Sequence, residues 1–208
     1  MKNLFKTSTF IITFISCILF TTQVKAETYP AYGNYKLTWN IQNIRYYIDQ
    51  SAPGYSGTIA SAANNWVYTG LGYNKLYPNT RTYNKTNSAV DIYAEYAGEY
   101  NYTAITYTFM NSNGVTTEIS WVEVPGRANT GVPSANYSFT EIHINNDVFD
   151  TYTDFNVRQG VIAHEFGHCW GLGHNPENVN SIMNNYDDTR AVYTIQQVDQ
   201  DVFNILYP

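Results

Sequence analysis

Residues 164 to 174 read His-Glu-Phe-Gly-His-Cys-Trp-Gly-Leu-Gly-His. Imidazoles four residues apart on a helix lie on one face, one turn apart, so His164 and His168 aim at a common point. Gly171 lets the chain reverse sharply after that helix and return His174 as a third nitrogen ligand. Three histidines leave one position of a tetrahedral zinc ion open, as a catalytic site requires and a closed structural site does not. Glu165, next to the first ligand, is placed to take a proton from water at that open position and later hand it to a leaving amine. Three of the four histidines of the chain fall inside these eleven residues. Five specified positions at this spacing arise by chance on the order of once in 10⁵ trials for a chain of this length.

Other residues with ligating or nucleophilic side chains carry weaker patterns. Cys169 follows His168 and points about 100° away from the ligand face of the helix, so it reads as a buried thiol. Asn145, Asn146, Asp147, Asp150 and Asp154 offer oxygen ligands for calcium, but without a fixed spacing they equally describe a solvated acidic loop.

The elements that must hold the zinc segment follow from periodicity. A helix from about Asn156 to Trp170 presents Val157, Val161, Ile162, Phe166 and Cys169 for packing and stops at Gly171. Ile59, Ala62, Ala63, Trp66 and Val67 recur at helical spacing after the turn Ala52-Pro53-Gly54. Strands are predicted within Leu37–Asp49, at Ala89–Tyr96, Tyr102–Phe109, Thr116–Val124 and Phe139–Ile144. In Ala89–Tyr96, Val90, Ile92 and Ala94 share one face and Asp91, Tyr93 and Glu95 the other. A last helix starts at a possible capping box of Thr194 and Gln197 and carries the apolar stripe Val198, Val202, Ile205 and Leu206. Strands interleaved with a helix, then helices alone, suggest an α/β-like upper half and a small, mostly irregular lower half.

With 44% hydrophobic and only 13% charged residues, the 208-residue chain can bury a real core and is not a disordered tail. Its twenty tyrosines suit β-rich packing and a wettable aromatic surface. Residues 1–26 resemble a secretory signal, with Lys2 and Lys6 before the apolar run Phe10–Phe20 and a small-residue site at Val24-Lys25-Ala26. The run is about half the ~20 residues needed to span a bilayer, so no stable membrane association is expected after cleavage and the protein is expected to be secreted. Loss of Lys2, Lys6 and Lys25 takes the formal charge from -6 to -9, which repels phosphate backbones and argues against a nucleic-acid partner. Cys169 is then the one remaining cysteine, which excludes an intramolecular disulfide.

The segment HEFGHCWGLGH, followed nine residues later by Met183 in Ser181-Ile182-Met183, resembles the metzincins, and within them the matrixin-type catalytic domains. Ile59–Trp66, Ala89–Tyr96 and Gln197–Tyr207 are similar to that family's first helix, central strand and terminal helix. The resemblance implies an α+β metzincin fold: a mixed five-stranded sheet with two long helices in an upper subdomain of about residues 27–171, and a lower subdomain of about 172–208 with the C-terminal helix. It implies a monomeric zinc metalloendopeptidase, a catalytic domain over 27–208, with metal ligands His164, His168 and His174 and catalytic Glu165. The substrate would be an extended peptide or protein segment lying along an edge strand, with Tyr102–Phe109 as best candidate and Thr116–Val124 as alternative.

Some positions depart from the family. The roughly ten residues between the expected cleavage site and the first strand hold no cysteine, so latency by a thiolate from that segment is not expected. Tyr186 stands three residues after Met183, where some metzincin branches have a tyrosine after two, and is an oxyanion contact or a pocket wall. His143 occupies a place where matrixins use a histidine for a second zinc, but the chain has no fifth histidine to complete such a cluster. The reading from a different class is a secreted binding or adhesive protein with a structural zinc site; the presence of Glu165 favours chemistry over it.

Overall fold

In the computed structural model, apolar alternation builds the sheet and helical spacing builds its cover. Residues 28–72, 74–77, 79–185 and 190–208 are described; the expected leader 1–26 and Tyr186 lie outside them. The strands are β1 (Arg45–Ile48), β2 (Thr80–Thr82), β3 (Val90–Glu95), β4 (Ala104–Ser112), β5 (Val115–Glu118), β6 (Trp121–Val124), β7 (Arg127–Pro133) and β8 (Phe139–Asn145). The helices are α1 (Ser56–Val67), α2 (Asn146–Phe149), α3 (Phe155–Cys169) and α4 (Gln197–Leu206).

A mixed six-stranded sheet runs in the order β2-β1-β3-β8-β4-β5, and β6 and β7 pair separately as a hairpin. Strands β2, β1, β3 and β8 run parallel to one another; β4 runs antiparallel to β8, and β5 antiparallel to β4. This α+β arrangement has one strand more than the five implied. The short β2 joins β1 through only three residue pairs, and β5 returns from β4 through a tight turn at Asn113-Gly114. Strand β2 lacks the alternating apolar pattern that makes a strand visible in a sequence, whereas β5 lies almost wholly within the expected strand Thr116–Val124.

One face of the sheet is covered by α1 and α3. Ile92, Ile142 and Ile144 pack beneath Ile59, Ala62, Ile162 and Phe166, all fully buried. Trp66 joins the two helices by donating its indole N–H to the Ala163 carbonyl at 2.7 Å, which satisfies a buried polar group in the middle of the core. The opposite face carries Tyr93, Glu95, Glu141 and His143, as the alternation in β3 predicts.

The first strand lies within Leu37–Asp49 as expected, at β1, preceded by a 3-10 turn at Ile41–Asn43 that Asn40 caps. Two expected elements are corrected. Thr116–Val124 is two strands: Ile119 still donates to Thr108, at 2.8 Å, but from Trp121 the chain leaves the sheet to pair with β7. The capping box of α4 is Gln196 with Asp199, not Thr194 with Gln197, and the buried stripe is Val198, Val202, Phe203 and Leu206 while Ile205 is exposed. Asp199 decides the register, since its carboxylate is buried and accepts the Gln196 N–H at 2.9 Å. Beyond Gly171 the described chain is irregular apart from α4. Among the described residues no helix is long and apolar enough to cross a membrane.

Candidate metal centre

Helix α3 begins where the Asp154 carboxylate accepts the Asn156 N–H at 2.8 Å. Val161, Ile162, Phe166 and Cys169 are buried as expected, whereas Val157 is only half-buried and every residue from Gln159 to Cys169 is enclosed, polar ones included. It ends in a Schellman arrangement: Gly171 N–H donates to His168 O at 2.9 Å and Leu172 N–H to Gly167 O at 3.1 Å. Gly171 has φ +94, a left-handed conformation that a side chain would oppose. The reversal turns the next residues back against the β6–β7 hairpin, where His174 N–H donates to Thr130 O at 2.8 Å.

His164, His168 and His174 converge, with one ring nitrogen of each within 4.8 Å of the others. Nε2 of His168 lies 3.1 Å from Nε2 of His164 and 3.2 Å from Nε2 of His174. Nδ1 of His164 is 2.8 Å from the Ile182 carbonyl oxygen, and Nδ1 of His168 is 2.8 Å from that of Leu172. A carbonyl oxygen has no proton to give, so each Nδ1 must be the donor, and each Nε2 presents a lone pair. Burial, reinforced by the neighbouring imidazoles, pushes the pKa of His164 well down and that of His168 down to about 3. Burial also lowers His174. Lone pairs facing one another at this range repel unless a cation lies among them, and the lowered pKa values keep protons from filling that role. The donor set therefore fits a metal ion.

Glu165, on the next position of α3, is buried beside this cluster. Its Oε2 accepts the Thr106 hydroxyl from β4 at 2.7 Å. A cleft of about 720 Å³ opens over His168, His174 and Glu165, bounded by Ala104–Tyr107 of β4 on one side and by Trp121 and Thr130 of the hairpin on the other. The Trp121 ring stands edge-on to His168, 5.2 Å between centroids, with its N–H on Thr108 Oγ1 at 3.2 Å.

Met183 is fully buried, with its sulfur against the α3 backbone at Gly167. The loop carrying it is tied down by Asp199, which accepts the Ser181 hydroxyl at 2.5 Å and the Ile182 N–H at 3.0 Å. Burial raises the Asp199 pKa to about 6. A chain of contacts thus runs from α4 through Ile182 to the ring of His164.

The other sequence candidates stand apart from the cluster. Cys169 is buried, and burial pushes its thiol pKa up, in line with an inert thiol. His143 sits between Glu95, at 3.2 Å, and Glu141, at 3.4 Å, on the far face of the sheet. The oxygens proposed for calcium are committed locally: Asn145 caps α2, Asp147 accepts the Gly98 N–H, Asn146 and Asp150 accept the Tyr55 hydroxyl, and Asp154 caps α3. Strand β4 is not the sheet edge as a whole, because β5 covers Phe109–Ser112; among the described residues no strand lies outside its first half. Sequence reasoning passed over Thr106, Trp121 and Asp199, and the carbonyls of Ile182 and Leu172 have no side-chain signal at all.

No family model matches the chain, and no curated protein matches it.

Proposed function

We propose that this protein is a secreted zinc endopeptidase of the metzincin type, similar to the matrixin catalytic domains. The observation that carries the reading is a ring nitrogen from each of three histidines converging beside the Glu165 carboxylate, at the floor of a cleft with a free strand edge. Tetrahedral zinc with Zn–N bonds of about 2.0–2.1 Å sets its nitrogens about 3.3–3.4 Å apart, close to the 3.1 and 3.2 Å separations here. Held by three neutral imidazoles, zinc supplies Lewis acidity that polarises water and the scissile carbonyl.

The chain's own residues account for the remaining requirements. Glu165 takes the proton of the attacking water and returns it to the leaving amine, for which a carboxylate beside the ligands and open to the cleft is suited. The first half of β4 offers main-chain groups to an extended peptide. Thr108 O receives Ile119 N–H, and alternate residues of a strand share an edge, so the N–H and C=O of Ala104 and Thr106 face the cleft. Export is supported by the leader-like residues 1–26.

The test is incubation of the purified mature protein with a diverse peptide mixture, with and without chelator, and sequencing of the new termini. Cuts that vanish with chelator and return with zinc are expected. A protein that binds about one zinc per chain yet leaves every peptide intact would move the reading to a binding protein with a structural metal.

A further inference from the structure

Proton transfer by Glu165 requires a carboxylate held in one orientation, since a rotating carboxylate spends most of its time misaligned. Thr106 is in contact with it. Its hydroxyl lies 2.7 Å from Glu165 Oε2 and 3.1 Å from the main-chain oxygen of the same residue, and both side chains are nearly buried.

The fold does not demand that hydroxyl. The cross-strand partner of Thr106 on the same face is Ile142, fully buried, so valine would meet both the β-branched preference and the packing. The Glu165 carbonyl lies inside α3, where helix geometry already pairs it with the N–H four residues on. What the hydroxyl adds is a directed donor to a carboxylate, a charge-assisted bond roughly twice as strong as a neutral one. The main chain of Thr106 meanwhile faces the cleft at the free half of β4, where Thr106 is one of the lining residues. One residue thus joins the strand edge to the proton-transferring group.

We infer that Thr106 is a positioning residue: its hydroxyl aims the Glu165 carboxylate while its main chain pairs with the substrate strand. This rests on the endopeptidase reading. Because Thr106→Val removes the hydroxyl and keeps the backbone contacts, it should lower kcat about ten- to a hundredfold and leave KM within about twofold.

The experiment compares zinc-loaded wild type, Thr106→Val, Thr106→Ala and Thr106→Ser in full-length mature protein, with kcat and KM, zinc content and melting temperature taken on the same samples. Thr106→Ser should recover most of the kcat. Thr106→Ala gives the same comparison if the valine variant does not fold. A second readout needs no turnover: in protein labelled with ¹³C-glutamate, the Glu165 carboxylate band is isolated by subtracting the spectrum of Glu165→Gln. That band should shift in Thr106→Val and stay in place in Thr106→Ser. Wild-type kcat with an unshifted band in Thr106→Val would overturn the inference, as would a serine variant as slow as valine, which would assign the effect to packing. A wild-type protein that cuts no peptide would defeat the endopeptidase reading, while the band would still report whether Thr106 holds the carboxylate.

Discussion

The rings of His164 and His168 are aimed by main-chain oxygens, and this divides what the sequence discloses at the residue scale. The ligand types and their spacing are written in side chains; the carbonyls of Ile182 and Leu172 that fix which nitrogen is bare are not. Thr106 was hidden for another reason: a threonine in a strand is ordinary, and only the packing of β4 on α3 brings it to Glu165. The lowered histidine pKa values have a sign. A His with folded pKa below its unfolded value of about 6.5 contributes stability that is present above that value and lost as pH falls toward the folded one. For His168 the window runs from 6.5 down to about 3. Asp199, raised to about 6, acts in the opposite sense between 6 and 3.8. Urea unfolding of metal-free protein across this range should therefore fall less steeply with acid in His168→Ala than in the parent. Equal slopes would show that His168 is not held neutral.

At the scale of elements, α3 was legible from start to glycine stop because periodicity, cap and chemistry agree there. The β6–β7 hairpin was not, since Arg127–Pro133 lacks an alternating pattern and its pairing depends on where Thr116–Val124 leaves the sheet. Yet that hairpin holds His174, the third of the proposed ligands, through its N–H on Thr130 O. The approach is close: a Cβ on Gly173 would overlap the main-chain oxygens of Thr130 and Gly131, which cannot step aside as a side-chain tip would. Gly173→Ala should cost about 1–3 kcal/mol by overpacking and weaken metal retention by displacing His174. Thermal unfolding together with a competition assay for zinc measures both, and a variant with unchanged melting temperature and zinc affinity would mean that the ligand loop does not depend on the hairpin.

Across the whole molecule, strands β1, β3 and β8 and the helices α1 and α3 carry much of the core, and all lie at segments visible as patterns. The sixth strand, β2, escaped because it is short, polar and stabilised by the edge of β1 rather than by an apolar face. The tyrosines divide between the two expected roles, with Tyr46, Tyr137 and Tyr207 in the core and Tyr83, Tyr96 and Tyr100 among those exposed. Export is tested separately: N-terminal sequencing of secreted protein should give Glu27 as the first residue, and a start beyond Leu37 would reveal an unforeseen pro-segment. The central claim is that three histidines hold a metal on which Glu165 performs proton transfer, and its most direct test is Glu165→Ala with zinc content and peptide turnover measured on the same preparation. The account predicts about one zinc per chain retained and hydrolysis reduced by at least about 10²-fold, whereas hydrolysis near the wild-type rate with zinc in place would contradict it.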